Sequence, residues 1–227
     1  GISLAEIQVL YPLDASYFSM VDTNGDGLAT RDEVLALVPI LASLLGGDMD
    51  WREPTPLLRS GVYWPGATMP GMADVRAHWQ PSQPVAALVF YRALVQAGNL
   101  KAVDAMITAL QQAGLNPLPI FTQSLKDPVS AETLGALFAA AAPDVVLNAT
   151  GFAVSSPGLV HVTGPLDKPD CPVLQVVFSG GNLAGWQEGT RGLSARDIAM
   201  NVALPEVDGR IFTRAVSFKG RARRDDA

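Results

Sequence analysis

The stretch Val85-Ala-Ala-Leu-Val-Phe-Tyr91 is apolar from end to end and rich in β-formers. A strand with one wet face alternates polar and apolar residues, whereas a strand of a parallel sheet, covered on both faces, reads as a continuous apolar run. The run therefore predicts a central parallel strand. Beyond it, Leu100, Val103, Met106, Ile107 and Leu110 recur at helical spacing, with Asn99 where a cap belongs and Gly114 where a glycine ends such a helix. Leu118–Thr122 is the next strand. A helix opening at Ser130 is expected to bury Leu134, Leu137, Phe138 and Ala141, and Asp144–Ala149 and Val173–Ser179 read as two more buried strands. Ser194, with Asp197 three residues on, resembles a capping box. That helix is expected to bury Ala195, Ile198, Ala199 and Val202 and to stop at Pro205, because proline has no N–H to give a helix interior. Ile211–Phe218 alternates and reads as a last strand. Strands separated by helices of this length predict an α/β fold, a mostly parallel sheet flanked by helices in Rossmann-like layers with right-handed crossovers.

Outward from this core the chain separates into three regions. Residues 1–50 read as a small helical region. Residues 51–84 hold Trp51, Pro54, Pro56, Trp64, Pro65, Pro70, Trp79 and Pro81, a density that breaks regular structure. This connector is expected to pack onto something through its aromatics. The α/β domain fills 85–227. Across 227 residues, 48% hydrophobic and 17% charged residues argue for a folded chain. A net charge of −6 makes nucleic acid an unsuitable partner, since phosphate binding needs a basic face. The basic cluster Lys219, Arg221, Arg223 and Arg224 runs straight into Asp225 and Asp226. The single cysteine, Cys171, excludes an internal disulfide framework and fits a reducing compartment. The longest apolar run, Val34–Leu45, is broken by Pro39 and is shorter than the ~18 residues that cross a bilayer. Gly1–Val9 lacks a basic leader pattern. The expectation is a cytoplasmic protein without membrane attachment.

Several constellations bear on chemistry. Asp22-Thr-Asn24-Gly-Asp26-Gly27-Leu28-Ala-Thr30-Arg-Asp-Glu33 fits the calcium-binding loop of an EF-hand. Asp22, Asn24 and Asp26 would supply side-chain oxygens, Leu28 its carbonyl, Thr30 a water, and Glu33 a bidentate carboxylate. Against a calcium role stand the small Ala29 within the loop, the lack of a second loop, and Pro39 in the exiting helix; a polar turn between helices is the alternative. Glycine turns follow two strands, at Ala149-Thr150-Gly151 and Ser179-Gly180-Gly181. They sit where open α/β sheets bind ligands, yet neither is a nucleotide fingerprint, and the chain has no P-loop. No nucleophile elbow occurs, and His78 and His161 lie far apart. The pair Glu206 and Asp208, just after Pro205, is either a solvated acidic turn or, if the segment is extended, two carboxylates facing one cavity.

One block alters that balance. Arg191-Gly-Leu-Ser-Ala-Arg-Asp-Ile-Ala-Met-Asn-Val-Ala-Leu-Pro-Glu206-Val-Asp-Gly-Arg210 closely resembles the cobaltochelatase large-subunit family, and more distantly that of magnesium chelatase. Gly61-Val-Tyr-Trp64-Pro-Gly66, Asp144-Val-Val-Leu-Asn-Ala-Thr150-Gly-Phe, and Val173-Leu-Gln-Val-Val-Phe178 with Trp186 and Thr190-Arg191-Gly192 agree, so the resemblance covers about residues 51–220. It implies a segment of a large subunit that binds a tetrapyrrole and a metal, while separate AAA+ subunits hydrolyse ATP to drive insertion. It further implies Co²⁺ as substrate metal and hydrogenobyrinic acid a,c-diamide as ring substrate, in cobalamin biosynthesis. By the same resemblance Glu206 is the candidate catalytic carboxylate, with Asp208 and Trp186 as substrate-binding neighbours. Such chemistry needs a group that takes a ring N–H proton or passes on a metal ion, which a desolvated carboxylate can do. The family continues well beyond this chain, and the EF-hand-like loop is not one of its features. Two other readings stay open: a non-catalytic ligand-binding α/β module, and a calcium-binding interaction module built on residues 22–33.

Overall fold

The computed structural model describes residues 2–3, 28–30, 33, 57–156, 162–190 and 192–220. The chain divides into two compact units, Gly1–Leu58 with Ala93–Asn99, and Arg59–Arg92 with Leu100–Ala227. In the first, β1 (Ile2–Ser3) pairs antiparallel with β2 (Leu28–Ala29), placing Ile2 opposite Ala29. Most of the region predicted as helical lies outside the described residues.

The second unit holds the predicted sheet. Its strands are β3 (Ser60–Val62), β4 (Val85–Tyr91), β5 (Asn116–Thr122), β6 (Val145–Asn148), β7 (Val173–Asn182) and β8 (Ile211–Lys219), in spatial order β3-β5-β4-β6-β7-β8. All neighbours are parallel except β3, which runs antiparallel to β5 along the edge. Counting only the parallel strands, the order is 2-1-3-4-5, a doubly wound sheet whose chain direction reverses between β4 and β6. As the run of apolar residues required, Ala86 to Phe90 are completely buried. Val103 and Ile107 of one flanking helix, and Leu134 and Phe138 of another, close over the sheet. Each such side chain contributes roughly 1.5–3 kcal/mol by leaving water.

The helices are α1 (Met72–Arg76), α2 (Arg92–Gln96), α3 (Lys101–Gln112), α4 (Pro128–Ala141), α5 (Leu183–Glu188), α6 (Ala195–Ile198) and α7 (Leu204–Val207). Caps differ from expectation in detail. Leu100, not Asn99, precedes α3 and gives no side-chain cap, while Gly114 sits at φ +76° as a terminating glycine should. The cap of α4 is Asp127, whose carboxylate accepts from the Ser130 N–H at 2.9 Å and the Ser130 hydroxyl at 2.8 Å. Pro128 at the first helical position needs no partner for an N–H it lacks.

From Arg59 onward the Pro/Trp-rich stretch belongs to the sheet unit. It supplies β3, and Trp64, stacked on His78 at 4.3 Å and 8°, seals the surface beyond it. Trp79 Nε1 donates to the Pro117 carbonyl at 2.9 Å, and the Asn116 amide clasps Gln80 and Gln83. At the opposite edge β8 is poorly covered: Ile211 is 57% exposed, Phe212 44% and Val216 40%. Among the described residues no helix is long and apolar enough to cross a membrane.

Candidate functional site

In the sheet unit, two hollows and the polar side chains that shape them lie toward the carboxyl ends of the parallel strands. Three buried polar side chains at β6 and β7 set the first loop there. Asn148 donates to Gln175 Oε1 at 2.7 Å and to the Thr150 carbonyl at 3.0 Å. Gln175 donates to the same carbonyl at 2.9 Å, and the Thr150 hydroxyl donates to Asn148 Oδ1 at 2.9 Å. All three residues are fully buried, so the network satisfies groups that would otherwise each cost about 1–3 kcal/mol.

From Gly151 the loop is pinned by the block that carries the family resemblance. That block does not end its helix at Pro205, as proline predicted. After α6 the chain widens into a π-turn, Ala199–Ala203, in which the Leu204 N–H reaches back to the Ala199 carbonyl, and α7 follows with Pro205 in its first turn. In this register the donor due to the Met200 carbonyl is Pro205, which has none. That carbonyl accepts instead from the Phe152 N–H at 3.0 Å. Gly151 is needed at the contact, since a Cβ there would meet the Met200 oxygen at 2.9 Å.

Asp208 and Arg210 complete the hold. The Asp208 carboxylate accepts from the N–H groups of Val154 at 2.7 Å and Ser155 at 2.8 Å, and from Arg210 Nη2 at 2.7 Å; Arg210 Nη1 donates to the Phe152 carbonyl at 3.1 Å. Both side chains are nearly inaccessible, at 7% and 3%. Burial draws the Arg210 guanidinium below its ordinary pKa, opposed by Asp208, Tyr91 and Asp167. Tyr91 donates to the Gly151 carbonyl at 3.0 Å, and burial raises its phenol above the usual value despite that bond and the Arg210 charge. So held, Phe152 sits at φ +65° and is 53% exposed. A left-handed conformation costs a non-glycine residue about 1–2 kcal/mol, and it persists because the surroundings over-determine it.

A second feature lies beyond β7. A cleft of about 600 Å³ is walled by Trp186, Gly192, Leu193, Ser194, Ile198 and Phe218, among others. Trp186 leans on Phe218 at 5.2 Å. Asp197 ties its floor together: Oδ2 accepts from the Ser179 hydroxyl at 2.7 Å and Oδ1 from the Gly180 N–H at 3.0 Å, while Ser194 Oγ caps the Asp197 N–H. The capping box is thus half made: Ser194 Oγ accepts from the Asp197 N–H, but the Asp197 carboxylate takes the donors at the strand end and not the Ser194 N–H. Burial pushes the Asp197 carboxyl up, but the donors Gly180, Ser179, Ser194 and Gly181 outweigh it and hold it below the usual carboxylate range. The helical positions expected in the core are not there: Ile198 is 45% exposed, Ala195 and Ala199 are exposed and Val202 is half-buried. Ala195 and Ile198 line the open cleft instead.

Of the sequence-predicted site residues, Trp186 lines this cleft and is 42% exposed. Glu206 is exposed on α7, is not among the cleft's lining residues, and has no side-chain partner among the described residues. The extended geometry that would aim Glu206 and Asp208 into one cavity does not form, because Leu204–Val207 is helical. The Asp208 carboxylate is engaged inside the protein. His78 packs on Trp64, and His161 lies outside the described residues. Burial, with Asp144 and Asp170 nearby, raises the Cys171 thiol, which keeps it unreactive. Asp22, Asn24 and Asp26 lie outside the described residues. Of the remaining loop positions, Leu28 is in β2, and Glu33 Oε2 accepts from the Thr30 N–H at 2.9 Å and hydroxyl at 2.6 Å, both residues being buried. Tyr91 closes a predicted strand and Phe152 ends one of the stretches that carry the resemblance, but neither stands out as a site residue, and Lys126 has no signal beyond its place after a predicted strand.

Comparison with known proteins converges on one group. The family model described as CobN/Magnesium Chelatase matches residues 29–227. The aerobic cobaltochelatase subunit CobN of Sinorhizobium sp is 50% identical over 188 residues, covering 78% of this chain and 15% of that protein. Its counterpart in Pseudomonas aeruginosa is 40% identical over 187 residues, covering 82% and 15%. A magnesium-chelatase subunit from Rhodobacter capsulatus is 28% identical over 208 residues, covering 85% and 17%. The solved catalytic subunit of cobaltochelatase from Mycobacterium tuberculosis superposes with a TM-score of 0.70 at 26% identity, over 95% of this chain and 18% of that one. The chain therefore spans about 15% of the length of the curated relatives it matches.

Proposed function

Because the chain belongs to the CobN/Magnesium Chelatase family, we propose that it is a segment of the large subunit of an ATP-dependent cobaltochelatase, inserting Co²⁺ into hydrogenobyrinic acid a,c-diamide. The observation that carries this reading is the cleft beside Trp186. Its volume of about 600 Å³ falls within the ~300–1,000 Å³ of small-molecule sites. Its walls of Trp186, Phe218, Leu193 and Ile198 offer apolar and aromatic surface to a planar macrocycle, at the carboxyl end of a parallel strand. Asn182 and Ser194 add amide and hydroxyl groups at the rim.

On this reading Trp186 and Phe218 hold the ring face and exclude water from it. Asp197 fixes the cleft floor. Glu206, exposed and without an internal partner among the described residues, takes the part of the carboxylate that strips the arriving hydrated cation or accepts a proton released from a ring nitrogen. Asp208 acts through the loop it pins. ATP is hydrolysed on AAA+ partner subunits, and the remainder of the large subunit completes the ring site. The test is an absorbance titration of hydrogenobyrinic acid a,c-diamide against the native subunit carrying this chain. Trp186→Ala is expected to weaken ring binding. Glu206→Gln should leave binding near wild type and slow insertion once Co²⁺, ATP and the partner subunits are present. Unchanged ring affinity in Trp186→Ala would remove the cleft from the ring site.

A second ligand concerns the amino-terminal unit. We infer that Asp22–Glu33 binds Ca²⁺ as a structural ion, favoured by the pairing of Leu28–Ala29 with Ile2–Ser3. Loop positions seven and eight of an EF-hand pair in this way with a neighbouring strand. Calorimetric titration with Ca²⁺ should show one site in the wild type and none in Glu33→Gln.

A further inference from the structure

The larger cleft does not lie where the sheet's winding reverses. That point, between β4 and β6, has its own crevice of about 150 Å³, formed by Tyr91, Ser124, Leu125, Lys126, Phe152 and Val154 with the adjoining loop backbone. Doubly wound sheets bind their ligands at this position. The volume is well below the ~300 Å³ at which small-molecule sites begin, so the crevice admits an arm of a ligand and not a macrocycle. No carboxylate lines it. Its single cation, the exposed Lys126 ammonium, has no charged partner among the described residues, and the neighbouring Asp127 is engaged by Arg59 at 3.1 Å and by Ser130. In a chain of net charge −6 an acid-free hollow with one open cation selects an anionic group.

The opposite wall is built to stay still. Phe152 is presented in a left-handed conformation. Met200 and Arg210 fasten its own peptide groups, and Asp208 fastens Val154 and Ser155 just beyond it. Strain kept by that many contacts marks a displayed residue. One segment serves both hollows, since Ile198 lines the larger cleft and the Met200 carbonyl, two residues on, anchors the crevice loop.

We propose that the switch-point crevice receives a peripheral carboxylate arm of the tetrapyrrole, with Lys126 pairing the carboxylate and the Phe152 ring covering its methylenes. The inference rests on the cleft beside Trp186 holding the ring. The test compares hydrogenobyrinic acid a,c-diamide with its fully amidated analogue, by absorbance titration of the native subunit carrying this chain and of its Lys126→Met and Lys126→Arg variants. Lys126 is exposed, so the variants fold as the wild type does. Lys126→Met is expected to lose about 10-fold in affinity for the carboxylate-bearing ring, the size of one charge-assisted contact, and nothing for the amidated one. Lys126→Arg should keep most of the preference. Equal affinity of wild type and Lys126→Met for the carboxylate-bearing ring overturns the crevice while leaving the cleft intact. Binding of neither ring by the wild type overturns the ring site itself. If inorganic phosphate binds in a Lys126-dependent way and the carboxylate-bearing ring does not, the crevice is a free-anion site and the inference fails.

Discussion

Replacing Asp208 with alanine is the sharpest test of how the switch-point loop is held. The substitution leaves the Arg210 guanidinium, 3% exposed, as a buried charge without its carboxylate. Removing one member of a buried pair costs about 3–5 kcal/mol. Two loop N–H groups, of Val154 and Ser155, lose a charged acceptor at the same time. Such bonds are worth roughly 1.5–3 kcal/mol each, but all four groups act as one network, so these figures do not add. A loss of about 4–5 kcal/mol follows, a large part of the ~5–15 kcal/mol that holds a domain together. Urea unfolding of Asp208→Ala, Arg210→Met and the double variant measures it. The double variant has no stranded charge, so its cost should fall below the sum of the two single costs by about 2 kcal/mol or more. A single-variant loss under about 1 kcal/mol, or strict additivity in the cycle, would refute the pin and return Asp208 to the candidates for direct substrate contact.

Two further perturbations probe neighbouring parts of the site. Gly151→Ala should destabilise by about 1–3 kcal/mol, because the new methyl meets the Met200 oxygen at 2.9 Å; thermal melting of the variant reads it directly. Asp197 is held below the ordinary carboxylate range when folded, so its stabilisation is complete above the unfolded value of about 3.9 and disappears as pH falls through the lower folded one. The melting temperature of the wild type should therefore drop more steeply below pH ~4 than that of Asp197→Asn, whose side chain does not titrate. Parallel curves through that range would mean that the carboxylate contributes nothing by its charge.

The parts of the fold that are legible in sequence are those whose burial is uniform. Val85–Tyr91 can be read because both of its faces are covered, which leaves no polar alternation to disguise it. Gly114 can be read because a positive φ restricts the residue type. The edge strand Ser60–Val62 cannot: three residues carry no period, and the hydroxyl of Ser60 meets that of its partner Thr122 only after the chain has folded. The amphipathic spacing of Ala195, Ile198, Ala199 and Val202 is real, but spacing reports an apolar face and not what covers it. Here the face borders an open cleft. Pro205 is legible as a missing donor; that the helix widens around it, and that the released carbonyl holds Phe152, depends on a loop fifty residues earlier. The Trp186 wall follows from family resemblance, whereas the crevice of Tyr91, Lys126 and Phe152 is assembled from one strand end and two separate loops, and a backbone angle such as that of Phe152 leaves no mark in sequence.

The exposed flank of β8 bears on how this chain behaves in a tube. An outer strand with Ile211, Phe212 and Val216 turned to solvent offers a neighbouring molecule both an edge that is unpaired among the described residues and apolar side chains to dock against, the combination by which sheets extend from one molecule to the next. Expressed in isolation, the chain should tend to pair with itself as its concentration rises, and a lysine placed at Phe212 should improve its solubility more than the same change at a position already covered.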